Sequence, residues 1–233
     1  MATATTPEVT TARKPRRRGS WVKYGAALFI ALLAWAAYDL YAPRRTSLRE
    51  FDADEVARLE TAMWRSYYSR ERLKLFRELA ELLRTQYRLP PLRSNAVAYR
   101  AAKAAFVFKD GKGRADYERA LPDLVSFYRS IRAVSDTDFD VGRAARLELE
   151  WWIVHRERRR HAPGDLDRAL ADLQAEIFRL PAERFAEHAR LRAEAMEIRD
   201  TKAEQGGVTE ADWRRIDDLL HQSWRSLWRA VNT

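Results

Sequence analysis

The chain has 233 residues, no cysteine and a formal net charge of +9 at neutral pH. The lack of cysteine excludes disulfides, thiolate metal sites, a cysteine nucleophile and a lipoprotein cysteine. Residues 1–50 hold nine Lys/Arg and only three Asp/Glu, which leaves residues 51–233 nearly balanced, with 34 basic and 31 acidic side chains. The excess charge is therefore concentrated in the tail, and no nucleic-acid partner is predicted for the remaining residues.

Residues 21–42, WVKYGAALFIALLAWAAYDLYA, are the only apolar stretch long enough to cross a bilayer. Trp and Tyr stand at both ends, as in the aromatic belts of membrane spans. Lys23 and Asp39 lie near the ends, where a charged group can reach the lipid headgroups. The pattern predicts a single N-terminal transmembrane signal anchor, with the lipid bilayer as its partner.

A cleaved signal peptide is the alternative interpretation of the same residues. A basic region, a short apolar core and the motif Ala34-Trp35-Ala36 follow the order of a signal sequence, so cleavage near Ala36 would release a secreted domain. The anchor is favoured because the apolar character continues past that motif and because Trp is awkward inside it. Six basic residues precede the centre of the span and three follow it, which favours a cytoplasmic N-terminus and a domain outside the inner or plasma membrane.

The remaining sequence divides into three parts. Residues 1–20 are predicted to be a disordered, basic, cytoplasmic tail, because they contain almost nothing to bury. Residues 43–51 are predicted to be a linker and residues 52–233 a helical domain. Glycine is scarce and no segment alternates like a strand, so the predicted fold is all-α: a transmembrane helix followed by a multi-helix bundle or helical-hairpin array.

Helix boundaries follow from capping residues and prolines. Asp52 or Asp54 is predicted to cap one long helix that ends near Arg88, before Pro90. Pro122 is predicted to break a helix, and Thr209 with Asp212 forms a near capping box at the start of the last helix. That last helix has the most regular apolar stripe of the chain. The stripe is predicted to be buried against the rest of the domain. It consists of Trp213, Ile216, Leu220, Trp224, Leu227 and Val231.

The candidate ligand-pocket residues are two carboxylates, two tryptophans and one histidine. Glu148, Trp152 and His155 follow one face of a predicted helix, at positions i, i+4 and i+7. Glu60 interrupts the apolar face of the first helix, and Trp64 belongs to an aromatic cluster beside it. A Glu and a His that point into a bundle can bind a ligand or exchange a proton. The favoured interpretation is a satisfied polar core, in which each Glu meets an Arg or an indole N–H.

No metal site, cofactor or catalytic residue is predicted. Asp136, Asp138 and Asp140 resemble the start of a calcium loop, but the glycine and the closing Glu are each one place late, so a solvated loop with Asp140 as a helix cap is favoured. The ferritin-like Glu-x-x-His pairs and the G-x-S-x-G elbow of hydrolases are both absent from the sequence.

These observations predict a membrane-anchored, extracytoplasmic helical domain of non-enzymatic function, such as a protein-interaction or scaffold module. The C-terminal helix is a predicted contact surface for a protein partner, with Trp228 outside the main stripe. The alternative is an enzyme or a metal- or ligand-binding bundle with Glu148 and His155 in its core. The sequence does not decide whether the chain has a catalytic activity.

Overall fold

A computed structural model describes residues 18–233 and divides the chain into two compact units at the junction of Tyr38 and Asp39. Helix α1, Arg18–Tyr41, begins in the first unit. Within the described residues, its segment Trp21–Tyr41 is the one helix that is long and apolar enough to cross a membrane, a test that an N-terminal signal sequence also passes. The predicted disordered tail falls on residues 1–17, outside the described residues, and on residues 18–20, which open α1.

The second unit, Asp39–Thr233, is helical, as predicted. Among residues 18–233 the only β-type pairing is a single parallel bridge between Thr46 and Ser135. The helices after α1 are α2 (Ala53–Tyr68), α3 (Arg72–Tyr87), α4 (Pro91–Asp110), α5 (Arg114–Tyr117), α6 (Leu121–Arg132), α7 (Val141–Arg156), α8 (Asp165–Phe178), α9 (Ala186–Glu204) and α10 (Glu210–Asn232). Most helices pack against their neighbours in sequence, and α10 closes the bundle by packing against both α9 and α2.

The prediction of one long first helix is wrong, because the chain turns between α2 and α3. Arg70 adopts a left-handed conformation with φ of 61°, which α-helical geometry does not allow. The turn is closed by a hydrogen bond from the backbone N–H of Glu71 to the carbonyl of Ser66. It lets α3 fold back and pack against α2, so that both apolar stripes face the same core.

Local capping signals were more reliable than helix lengths. The side chain of Asp52 accepts hydrogen bonds from two backbone N–H groups of α2, and Asp140 accepts one at the start of α7. Thr209 and Asp212 form a complete capping box on α10. The predicted break at Pro122 is present, since α5 gives way to a 3-10 turn and α6 starts beside the proline.

Asp39 has a structural role that its place in an apolar stretch does not reveal. Its Oδ1 atom accepts hydrogen bonds from the backbone N–H groups of Leu92 and Arg93, at 3.1 and 3.0 Å. The Arg93 side chain donates in return to the carbonyls of Asp39 and Ala42. Asp39 is therefore buried in the second unit, where it satisfies the free N-terminal amides of α4 rather than reaching lipid headgroups.

The predicted linker, residues 43–51, packs into the domain. Leu48 and Phe51 are buried in the hydrophobic core, and the Phe51 ring meets the Trp224 ring edge-on at 5.8 Å. The backbone of Thr46 exchanges hydrogen bonds with the segment after α6, donating to Val134 and accepting from Asp136. This stretch is therefore part of the folded unit.

The apolar stripe of α10 lies in the core, as predicted. All six stripe residues are buried, and Leu220 and Leu227 have no exposed surface. Trp228 lies outside the stripe and keeps 43% of its surface exposed. The stripe therefore serves the domain's own folding, and Trp228 is the large apolar side chain that α10 leaves at the surface.

Leu220→Ala is expected to lower the free energy of unfolding by about 2–5 kcal/mol, from lost transfer free energy and a new cavity. Urea unfolding of the full chain in a mild detergent measures the change. Leu73→Ala is the matched control, because Leu73 is 78% exposed, and its effect should stay within about 0.5 kcal/mol. Equal midpoints for the two variants would contradict the placement of Leu220 in the core.

Candidate functional site

A cavity of about 850 Å³ opens between α2, α3, α4, α7 and α9, with Phe127 of α6 also in its wall. Leucines of α3 and aromatic rings of α2, α4 and α7 form much of the lining, while α4 contributes the small side chains of Ala101, Ala102 and Ala105. The exposed residues Phe106 and Lys109 also line it, so the cavity is open to solvent on that side. This size and lining are typical of sites for small organic ligands.

Four of the five predicted pocket residues line this cavity: Trp64, Glu148, Trp152 and His155. The last three do so because positions i, i+4 and i+7 of α7 share one face. Glu60 does not line the cavity. It is hydrogen-bonded to Arg192, which does line it. The placement brings these residues together, while their role in binding stays a prediction.

The carboxylate of Glu148 lines the cavity, and its hydrogen-bond donors among the described residues are neutral groups. The hydroxyl of Tyr128 donates to Oε2 at 2.7 Å, and the indole Nε1–H of Trp152 donates to Oε1 at 2.9 Å. The pKa of Tyr128 is raised well above its usual value, first by burial and then by the nearby Glu148 charge. Tyr128 therefore stays protonated and acts as a permanent donor to Glu148.

Aromatic rings surround this carboxylate. The Trp152 ring lies 5.3 Å from the Phe108 ring and 6.1 Å from the Trp151 ring, both in edge-on arrangements. The Trp151 Nε1–H is buried and has no hydrogen-bond partner within the described residues. Trp151 lines the cavity, so its indole N–H is a hydrogen-bond donor that a ligand could use.

Glu60 and Arg192 form a buried ion pair behind the cavity wall. Nε and Nη2 of Arg192 donate to Oε1 of Glu60 at 3.0 and 2.6 Å, and the indole of Trp224 donates to Oε2 at 2.6 Å. Burial acts to lower the pKa of Arg192, but Glu60 and then Glu148 outweigh it and raise this pKa. Both contacts predicted for a satisfied polar core, Glu to Arg and Glu to indole N–H, are therefore present.

A second charged cluster lies where α7 and α9 end. Nε2 of His155 is 3.0 Å from Oδ2 of Asp200, which also meets Arg158 at 3.3 Å, while Arg199 donates to the other oxygen at 2.8 Å. Burial alone would raise the pKa of Asp200, but these partners outweigh it and hold the pKa at about 2. The Arg158 guanidinium also pairs with Glu204, which is half exposed, so we call this end of the cavity the mouth.

Arg156 secures the α4 side of the mouth. Its guanidinium donates to the backbone carbonyls of Phe108, Lys109 and Gly111 at 3.0–3.1 Å. It also lies over the rings of Phe108 and Tyr117, 5.3 Å from each centroid. A cation at this place satisfies the free carbonyls at the C-terminal end of α4.

No cluster of three or more metal-ligating side chains occurs in the part of the chain that the structure describes. In the calcium-like loop, Asp138 pairs with Arg132, and Asp140 caps α7 through the backbone N–H of Arg143. Asp140 therefore acts as a helix cap and Asp138 forms a surface ion pair, which agrees with the predicted solvated loop.

Comparison of the chain with protein-family models, with curated proteins and with solved structures found no match.

Arg192→Met is expected to cost about 3–5 kcal/mol of unfolding free energy, because it leaves the Glu60 charge buried without its partner. Adding Glu60→Gln should restore at least part of the loss, since the uncompensated charge is then gone. Urea unfolding of the full chain in mild detergent gives each value. Arg190→Met, two residues away on the same helix, breaks an exposed ion pair with Glu194 and should cost no more than about 1 kcal/mol.

Equal costs for Arg192→Met and Arg190→Met would contradict the assignment of Glu60–Arg192 as a buried pair. Strictly additive losses in the double variant would show that the two side chains do not interact.

Proposed function

We propose that this chain is a membrane-tethered helical domain that binds a small, largely apolar ligand in the cavity between α2, α3, α4, α7 and α9. The observation that carries the proposal is the cavity itself. Its volume of about 850 Å³ lies in the range of ligand sites, and its lining combines aromatic and leucine side chains with a few polar groups. A domain of this size gains no stability from leaving such a space empty.

Binding is favoured over catalysis by the partners of the acid–base candidates. Glu60 is neutralised by Arg192, and His155 lies against Asp200. Glu148 accepts two hydrogen bonds from neutral donors, and no Ser, Thr, Lys or His of the described residues is hydrogen-bonded to it. An enzyme with Glu148 and His155 in its core is thus the less supported alternative.

A protein-interaction module is the second candidate, through the C-terminal helix. The stripe that prompted this idea is buried in the domain, and Trp228 is the apolar group of α10 left for a partner. A single exposed ring offers far less contact than a stable protein interface requires. The cavity therefore supports the ligand-binding function better.

The membrane tether rests on the helix Trp21–Tyr41 and on the distribution of charge. We propose an N-terminal signal anchor in the inner or plasma membrane, with the N-terminus in the cytoplasm and the domain outside. Cleavage near Ala36 would instead release the domain. Either form keeps Asp39, whose carboxylate caps α4.

The full-length protein is expected to stay with membranes through an alkaline wash, because a spanning helix is held far more tightly than a surface contact. Deletion of residues 21–38 should release the protein, which is the matched control. Protease added outside the membrane should digest the domain and spare the tail. An alkali-soluble species that begins at Ala37 would contradict the anchor and support the secreted form.

The ligand proposal is tested with N-phenyl-1-naphthylamine, a neutral apolar dye that fluoresces when it leaves water. The full chain in lipid nanodiscs should raise the dye's emission above that of empty nanodiscs, with saturation. Ala102→Phe fills part of the cavity and should weaken binding by about tenfold, or 1.4 kcal/mol.

Ala211→Phe adds the same ring at an exposed position of α10 and should leave dye binding unchanged. Circular dichroism checks that both variants keep their helices. Emission no higher than with empty nanodiscs, or the same saturation curve for both variants and the unmodified chain, would refute a ligand site in this cavity.

A further inference from the structure

We infer that the inner end of the cavity binds an organic cation, an amine or quaternary ammonium group attached to an apolar body. This inference rests on the proposed ligand-binding function and specifies the chemical class of the ligand. It depends on the balance of charge around Glu148 and on the rings that surround this residue.

The cavity has two ends, which side chains from different parts of α7 and α9 line. Glu148 of α7 lies near Arg192 of α9, whereas Arg158, just beyond the end of α7, and Glu204, the last residue of α9, lie at the mouth. Side-chain exposure follows this order, from 14% for Arg192 to 51% for Glu204. We call the region around Glu148 and Arg192 the inner end.

Glu148 is the carboxylate of the inner end that lacks a cationic partner. Arg192 is already neutralised, since two of its nitrogens donate to Glu60. No Lys, Arg or His of the described residues forms an ion pair with Glu148, whose hydrogen bonds come from Tyr128 and Trp152. The inner end thus has two carboxyl side chains, Glu60 and Glu148, for one guanidinium, that of Arg192.

The mouth differs because basic side chains outnumber acidic ones there. Arg158 and Arg199 share Asp200, Arg158 and Arg159 share Glu204, and Arg156 is held by the carbonyls that end α4. Lys109 has no ion pair but is exposed to solvent. The inner end is therefore the part of the cavity whose excess charge is negative, and Glu148 supplies that charge.

The surrounding rings favour the same class of ligand. Trp151, Trp152 and Phe108 line the cavity beside Glu148. The face of an aromatic ring attracts a cation, most strongly in the case of tryptophan, and the attraction grows when water is excluded. The chain itself uses this contact, since the Arg192 guanidinium lies 5.1 Å from the centroid of the Trp151 ring.

An anionic ligand group fits the inner end poorly. Its possible partner, Arg192, already donates to Glu60, and the ligand would add a third negative charge to those of Glu60 and Glu148. Like charges in a poorly hydrated site repel more strongly than in water. A cation instead reduces the net negative charge of Glu60, Arg192 and Glu148. The ring faces and the Glu148 carboxylate take the place of the water that the cation loses on binding.

Three probes of similar size test the inference on the full chain in lipid nanodiscs. Benzyltrimethylammonium carries the cation, neopentylbenzene is its neutral isostere, and phenylacetate carries an anion. Calorimetry and tryptophan fluorescence report binding, with empty nanodiscs as the blank. Benzyltrimethylammonium is expected to bind at least about tenfold more tightly than either other probe.

Glu148→Gln keeps the shape of the side chain and removes its charge, so binding of benzyltrimethylammonium should weaken by about tenfold or more. Glu150→Gln is the matched control on the same helix, because Glu150 pairs with Arg114 and does not line the cavity. Binding by that variant should not change. If Glu148→Gln fails to fold, the comparison of the three probes on the unmodified chain decides the question alone.

The outcomes separate this inference from the proposed function. Equal or tighter binding of neopentylbenzene or phenylacetate would overturn the cation site and leave the ligand cavity in place, as would unchanged cation binding by a folded Glu148→Gln variant. If these probes and the neutral dye all fail to bind, the proposed function fails as well.

Discussion

The ion pair of Glu60 and Arg192 is the interaction on which the arrangement of the domain depends. It joins α2 to α9, and the Trp224 indole adds α10 by donating to the second oxygen of Glu60. A buried charge without a partner is strongly destabilising, so these three helices are held in one register. Arg192 also lies over Trp151 of α7, which extends the constraint to the cavity wall.

The cavity follows from this constraint and from the sizes of the facing side chains. The ion pair fixes α2 and α9 on one side, while Arg156 ties the end of α4 to the end of α7 through three carbonyls. Between these fixed points the small alanines of α4 line the space, together with aromatic rings of α2, α4 and α7. The cavity is therefore largely aromatic.

Sequence patterns predicted the features that depend on nearby residues. Helix caps at Asp52, Asp140 and Thr209 need only the next three residues, and the α10 stripe needs only helical periodicity. The spacing of Glu148, Trp152 and His155 on α7 placed them on one face for the same reason. The turn at Arg70 was missed, although the apolar stripe pauses between Tyr67 and Leu75 in a polar run.

Long-range partners could not be predicted in this way. Arg192 is separated from Glu60 by 132 residues, and nothing distinguishes it from the many other arginines of α9 and its neighbours. Asp39 shows the same limit, because its partners Leu92 and Arg93 lie 53 and 54 residues away.

An aspartate inside an apolar stretch looks like a defect in a membrane span until its partners are known. The apolar helix Trp21–Tyr41 has 21 residues. At the rise of an α-helix this is about 32 Å, against a bilayer core of about 30 Å. The charge of Asp39 is thus explained by the helix amides that it caps, and the helix that contains it is still long and apolar enough to cross a membrane.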